Sequence, residues 1–223
     1  MEWAARLAIA SGAAKGLVFL HSKKVVHGSI KSMNVHLDKE GVARWSDYGL
    51  LQKLIRAKAE IGGGAASDTS PNGYTPPEVV SNGKMITYKG DVYSFGVLLL
   101  ELLTGKAPTN TSTGEGMDLP TWVQSVVREE WTSEVFDVEL MRYEDIEEEL
   151  VEILQIAMAC VAASPDQRPT MAQVVKMIEE VRSFEVSDDD ATRKSSSDKS
   201  KDSNGTPPRV SPMESLTTPP GSH

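Results

Sequence analysis

The 223-residue chain has a single cysteine, Cys160, so no disulfide can form within it. Cys160 stands among Ile156, Ala157 and Val161 and reads as a small buried hydrophobe. Nothing here points to an oxidising compartment. Basic residues are outnumbered, 23 Lys and Arg against 32 Asp and Glu, for a net charge of −9. Nonspecific nucleic-acid binding needs a basic surface and is therefore not expected. Residues 129–152 hold eleven acids and one base, Arg142. That run reads as a solvated helical face, with an acidic docking surface for a basic partner as the alternative. Long apolar runs are also missing. Glu2, Arg6 and Lys15 break any secretory h-region. The most apolar stretch, Val92–Leu100, has nine residues between Asp91 and Glu101. A membrane span needs roughly 20, so the chain is not expected to cross a membrane by itself.

From Glu185 onward there is no aromatic residue, and apolar ones are scattered. Such a segment buries too little surface to offset its ordering entropy. The expected division is therefore a folded region over 1–184 and a disordered Ser/Asp/Pro-rich tail over 185–223. Thr206-Pro207, Ser211-Pro212 and Thr218-Pro219 make Thr206, Ser211 and Thr218 candidate sites for proline-directed phosphorylation. A plain solvated tail is the alternative. There is no internal repeat.

Leu7, Ala10, Ala14, Leu17 and Leu20 recur at helical spacing over residues 3–21. Short strands are predicted at Val25–His27, Asn34–Leu37 and Ala43–Ser46, with Gly41 in the turn between the last two. Residues 50–78 read mostly as loop and contain Gly62-Gly63-Gly64. Val92–Leu103 is almost wholly apolar, interrupted by Ser94, Gly96 and Glu101, and predicts a buried central helix capped by Gly105. A shorter helix near Leu119–Arg128 follows. One amphipathic helix then carries Ile146, Leu150, Leu154, Ala157 and Val161, and another carries Met171, Val174, Ile178 and Val181. The ordered part is thus expected to be mainly α, a helical bundle around a buried central helix with a few short strands.

The chemistry-bearing segments are His27-Gly28-Ser29-Ile30-Lys31-Ser32-Met33-Asn34, then Asp47-Tyr48-Gly49, Pro76-Pro77-Glu78, Asp91-Val92-Tyr93-Ser94-Phe95-Gly96 and Asp166-Gln167-Arg168-Pro169. Each is weak alone; five in this order with these gaps are specific. Over about residues 1–184 the sequence resembles the C-terminal lobe of a eukaryotic protein kinase. It looks closest to plant leucine-rich-repeat receptor-like kinases, on the strength of Trp3, Ala13-Ala14-Lys15-Gly16-Leu17 and the last two motifs.

The resemblance implies ATP and Mg²⁺ as cofactors, with Asn34 and Asp47 at the metal-binding positions and Lys31 as a cation near the transferred phosphate. It implies a buried ion pair between Glu78 and Arg168, and an Asp91 carboxylate accepting hydrogen bonds from the backbone near His27. These last four residues would hold the lobe's shape whether or not it catalyses. The proton-accepting Asp of the family's His-Arg-Asp falls on Ser29, whose hydroxyl is a far poorer base. Losing a general base typically costs about 10² to 10⁴ in rate. Gly28 replaces the Arg that pairs with a phosphorylated activation loop. Ser67, Thr69, Ser70 or Thr75 would not switch this chain by that route, although Ser67, Thr69 and Ser70 remain candidate phosphosites. His36 stands where an apolar side chain packs under the adenine, and Tyr48 mildly replaces Phe. Met1 falls where the first long helix of the lobe begins. No strand–Gly-x-Gly-x-x-Gly–strand unit and no Val-Ala-Ile-Lys run is present, and Gly62-Gly63-Gly64 has no flanking strands. The N-terminal half of the nucleotide pocket is therefore expected to be missing from this chain.

Three readings follow. The chain is a catalytically inactive kinase lobe that signals by binding proteins, another receptor-like kinase among the expected partners. Or it is an incomplete product of a receptor whose other part carries extracellular repeats, a membrane helix and the N-lobe. Or it is an active Ser/Thr kinase once an N-lobe is supplied. The expected location is the cytoplasm, at the cytoplasmic face of the plasma membrane if the chain belongs to a longer receptor.

Overall fold

The computed structural model describes residues 1–50, 53, 57, 72–82, 86–109, 117–128, 132–143 and 145–181. The predicted tail, the three glycines at 62–64 and the candidate phosphosites Ser67, Thr69, Ser70, Thr206, Ser211 and Thr218 lie outside the described residues. The described elements are α1 (Trp3–Ser22), β1 (Val35–Leu37), β2 (Ala43–Trp45), α2 (Pro77–Asn82), α3 (Tyr88–Thr104), α4 (Leu119–Arg128), α5 (Glu147–Cys160) and α6 (171–181), joined in places by single 3₁₀ turns.

The central helix α3 organises the rest. Phe95, Val97, Leu99, Leu100 and Leu103 on it are fully buried. A buried Leu or Phe side chain contributes about 1.5 to 3 kcal/mol from desolvation alone. The Thr87 hydroxyl caps the helix start by accepting from the Gly90 N–H at 3.2 Å. Gly105 closes the helix in the left-handed conformation, its N–H donating to the Glu101 carbonyl at 2.9 Å. α3 packs most extensively on α5. The close approach depends on Gly96, where an added Cβ would stand 2.6 Å from the Cβ of Cys160 and 3.1 Å from the Ala157 carbonyl oxygen. Cys160 is fully buried in this contact, and burial pushes its thiol up to about 12. That is the inert, space-filling role the sequence suggests.

The hairpin β1–β2 is antiparallel, in the register Val35–Trp45, His36–Arg44 and Leu37–Ala43. It lies on α1, and Gly16 makes room for it, since a Cβ there would come 2.8 Å from the Trp45 ring. By length and composition alone α1 could span a membrane. Leu7, Ala14 and Leu17 on it are instead buried in the protein core, at 0 to 1% exposure.

Two expectations are corrected. Val25–His27 forms no strand. Its hydrogen-bonding groups go elsewhere: the Val25 N–H donates to the Leu20 carbonyl at 3.0 Å, the His27 N–H to Asp91 at 2.8 Å, and the His27 carbonyl accepts from Gly49 at 2.9 Å. No ladder partner remains for them. The stretch read as mostly loop over 50–78 is non-helical at 72–76, as expected, but helical at residues 50, 53 and 57 and again where α2 begins. Leu50, Leu51, Leu54 and Ile55 in fact carry helical spacing.

Candidate functional site

The loop from His27 to Asn34 is built against the first turn of α3. Val26 and Ile30 anchor it in the core. Between them, the N–H groups of His27 and Gly28 donate to the two oxygens of Asp91 at 2.8 and 2.9 Å. His21 Nε2 lies 3.0 Å from the same carboxylate. Asp91 is 1% exposed. A buried carboxylate is tolerable here because it sits in the first turn of a helix, on the positive side of the macrodipole, and accepts several hydrogen bonds.

His27 is fully buried, edge-on to the Trp45 ring at 4.8 Å between centroids. Its Nδ1 accepts the Ser29 N–H at 3.3 Å, and its Nε2 has no partner. Burial holds the imidazole pKa below its ordinary 6.5, against the raising pull of Asp91 and Asp47. A histidine with a depressed folded-state pKa stays neutral while the unfolded chain takes up a proton. Its contribution to stability is present above about pH 6.5 and is lost as pH falls toward the folded value. Between pH 7 and 5.5 the melting temperature is expected to drop. The difference in slope between the parent and His27→Gln should not exceed about 1.4 kcal/mol per pH unit, the limit for one proton. Equal slopes in the two proteins would contradict this account.

The Asn34 side chain reaches back along the loop. Its Nδ2 donates to the Ser29 carbonyl at 2.7 Å and to the Ser29 hydroxyl oxygen at 3.2 Å. The Asn34 carbonyl accepts the Ser46 N–H at 3.0 Å, tying the loop to the end of β2. Asp47 follows at once with a positive φ of 59°, and Gly49 with 68°. This sharp reversal brings Asp47 to an open cleft of about 260 Å³ lined also by Gly28, Ser29, Lys31, Tyr74 and Thr75. Ser29, Lys31 and Asp47 thus share one cleft, with Asn34 fastened to Ser29 behind it. His36 lies apart from this cleft, exposed on β1 with Nε2 3.0 Å from the Ser46 hydroxyl. Tyr48 is 55% exposed.

A second network was not singled out from the sequence. The Tyr74 hydroxyl donates to Glu101 on α3 and accepts the Ser32 N–H at 3.1 Å, with the Ser32 hydroxyl 3.0 Å away. The Tyr74 carbonyl accepts from the Ser94 hydroxyl at 2.8 Å. Burial and the Glu101 contact push the Tyr74 phenol up to about 12, and burial raises Glu101 as well. The network joins the cleft's wall at Asn72, Tyr74 and Thr75 to Ser32, which follows the cleft residue Lys31. Ser94 and Glu101 are two of the interruptions in the apolar run, seven residues apart and so on one helix face. That spacing was the available signal.

Behind this wall, Glu78 at the start of α2 meets Arg168, whose side chain has no exposed surface. The guanidinium forms a fork with the carboxylate, Nη1 to Oε1 and Nη2 to Oε2, both at 2.8 Å. Its other donors reach the carbonyls of Ala162 at 2.8 Å, Ala163 at 3.1 Å and Lys89 at 3.0 Å. All five guanidinium N–H groups are therefore satisfied. The Tyr93 ring lies 5.0 Å below the guanidinium carbon.

Among the described residues no cluster of three or more His, Cys, Asp or Glu side chains is placed to hold a metal ion. Asn34 and Asp47 are a hard-oxygen pair. The Asn34 amide nitrogen is spent on Ser29, which leaves Oδ1 as the ligand atom. Two such oxygens suit Mg²⁺, which takes few protein ligands and fills its shell with water and phosphate oxygens.

Three comparisons with known proteins agree with this architecture. A family model described as protein tyrosine and serine/threonine kinase matches residues 1–178. A probable leucine-rich repeat receptor-like protein kinase of Arabidopsis thaliana is 54% identical over 189 residues, covering 82% of this chain and 27% of the relative. A probable inactive receptor kinase of the same plant is 50% identical over 185 residues, covering 81% of this chain and 28% of the relative. The chain therefore spans little more than a quarter of the length of either. Among solved structures, the pseudokinase domain of BIR2, an immune regulator of the RLK/Pelle family, superposes with a TM-score of 0.67. It is 29% identical, with 85% of this chain and 57% of that one covered.

Proposed function

The chain belongs to the protein kinase family, among the plant leucine-rich-repeat receptor-like kinases, and we propose that it signals by binding proteins rather than by transferring phosphate. One observation carries this reading. The loop His27–Asn34 contains no carboxylate, and the hydroxyl of Ser29 that faces the cleft already accepts a hydrogen bond from Asn34. A general base must accept the proton of the attacking hydroxyl. Ser29 can only pass on one as weakly acidic as that it would receive. That several relatives are described as inactive supports the same reading.

Kinases of this family use ATP and Mg²⁺, which supply the phosphoryl group and neutralise its charge. In this chain Asn34 Oδ1 and the Asp47 carboxylate would hold the metal, and Lys31 would face the phosphate. Retention of these three residues is what favours the second reading, transfer of the ATP γ-phosphate to protein hydroxyls in a longer form. In the binding mode, the cleft wall at 72–76 and the outer helical faces would be offered to partners, another receptor-like kinase among them. The action would be cytoplasmic, at the inner face of the plasma membrane within a longer receptor, with Thr206, Ser211 and Thr218 open to phosphorylation by a partner.

The test uses the full chain with casein and γ-labelled ATP, beside an Asp47→Ala control. The expected label is no greater than that of the control. Asp47-dependent label would overturn the reading in favour of catalysis. In parallel, the immobilised chain should retain the purified kinase domain of a leucine-rich-repeat receptor-like kinase without nucleotide, and Asp47→Ala should retain it equally. Failure to retain it would overturn the binding half.

A further inference from the structure

The acidic run at 129–152 leaves a surface that no role given above uses. The turn at 137–143 exposes three large apolar side chains: Val138 at 75%, Met141 at 44% and Tyr143 at 41%. Single exposed apolar residues are ordinary, but several in one short segment mark a surface for contact. The segment is not loose. Leu140 within it is fully buried, the Asp137 N–H donates to the Leu103 carbonyl at 2.9 Å, and the Asp137 carboxylate holds the buried Arg6 at 2.7 Å. The turn therefore presents Val138, Met141 and Tyr143 outward from a fixed backbone.

The helix α5 follows this turn in the chain and has an exposed face of its own. Glu148, Val151, Glu152 and Gln155 stand at i, i+3, i+4 and i+7 on one helix face, and all are exposed. Tyr143 lies four positions before the helix start at Glu147, at most about 14 Å of chain. The charge around the apolar side chains is mostly negative. Glu134, Asp145, Glu147, Glu148 and Glu152 are exposed and have no ion-pair partner among the described residues. Arg142 is the one base in the run. Such a rim repels nucleic acid, acidic lipid and a second copy of itself, and draws a cationic ligand.

We propose that the turn at 137–143 and the outer stripe of α5 form a docking surface for a basic amphipathic segment of a partner protein. Its apolar residues would cover Val138, Met141 and Val151, and its Lys or Arg side chains would meet the five free carboxylates. The proposal rests on the protein-binding reading and names the kind of partner.

The experiment measures fluorescence anisotropy with the full chain and a labelled 14-residue Leu/Lys peptide patterned as an amphipathic helix. The comparators are the same composition scrambled and a Leu/Glu peptide of the first pattern. The patterned Leu/Lys peptide should bind at least tenfold more tightly than either, and more weakly as salt rises. Two variants, Val138→Ser/Met141→Ser and Glu147→Lys/Glu148→Lys/Glu152→Lys, should each lose at least tenfold in affinity. Every substituted side chain is exposed, so circular dichroism should be unchanged. Equal binding of the scrambled peptide, or variants that bind like the parent, would overturn the surface. So would a dimer in sedimentation that these substitutions dissolve, because the face would then belong to a second copy. Retention of the receptor-kinase domain separates the two ideas. If both variants retain it and bind the peptide like the parent, the binding reading stands and this surface falls. If the parent fails to retain it yet binds the patterned peptide, the converse holds.

Discussion

Arg168→Lys is expected to lower the stability of the folded chain by about 2 to 6 kcal/mol, about 1 to 3 kcal/mol for each of two buried acceptors left without a donor. The reason is geometric. The guanidinium fills five acceptor positions: two carboxylate oxygens of Glu78 and three carbonyls, those of Ala162, Ala163 and Lys89. An ammonium has three donors and no planar fork, so acceptors buried beside it lose their partners. For a chain of this size the shift in melting temperature is roughly 10 °C. Glu78→Gln tests the charge instead: it leaves the buried guanidinium without its counter-charge, at a cost of about 3 to 5 kcal/mol, although an amide oxygen can still accept from one arm of the fork and the three carbonyls keep their donors. Urea unfolding that placed Arg168→Lys within about 1 kcal/mol of the parent would mean that the carbonyl bonds contribute little. Replacing both partners by apolar residues should not recover the parent's stability. It removes the charge pair but leaves the three carbonyls bare.

Ninety residues separate Glu78 from Arg168, and nothing in local pattern announces their contact. It could be anticipated only through the resemblance to protein kinases. The helices were more legible, because their signal is local. Leu7, Ala14 and Leu17 are buried on α1, and Gly105 caps α3 as its position after the apolar run suggests. The start of α3 was harder to place. Lys89, Gly90 and Asp91 interrupt the hydrophobic pattern, yet all three lie within the helix. Asp91 is held by the loop at 27–28 and Lys89 by Arg168, partners invisible in a short window, while Gly90 packs against Ile86 and Pro76. The missing strand at Val25–His27 shows the same limit. Two adjacent valines suit a strand, but pairing needs free N–H and carbonyl groups, and Asp91, Leu20 and Gly49 had taken them. At the site, the residue types of Ser29, Lys31, Asn34 and Asp47 were readable from order and spacing. The Tyr74–Glu101–Ser32 network was not, since it depends on three segments meeting, although Glu101 inside an apolar helix was a visible anomaly.

Asp91→Ala should be as damaging as the loss of Arg168, through the loop rather than the wall. One buried carboxylate satisfies the N–H groups of both His27 and Gly28 and approaches His21 at 3.0 Å. Removing it strands two backbone donors in a site that is almost closed to water. Each hydrogen bond to a charged group contributes about 1.5 to 3 kcal/mol, so the pair alone accounts for about 3 to 6 kcal/mol. Asp91→Asn is the sharper variant, because its shape is nearly unchanged. Its amide offers one acceptor oxygen where two N–H groups point, and its NH₂ must face the other donor. It should therefore recover only part of the loss. The effect should also be local before it is global. Amide hydrogen exchange at His27 and Gly28 should speed up in Asp91→Asn by about tenfold or more, while the centre of α3, at Leu99 and Leu100, slows or speeds only with overall stability. If His27 and Gly28 exchange no faster relative to Leu99 than in the parent, Asp91 does not hold this loop. If they do, the loop that carries Ser29 and Asn34 owes its shape to a residue 57 positions or more further along the chain. Its fixed form would then persist whether or not the cleft transfers phosphate, which is the property a binding lobe needs.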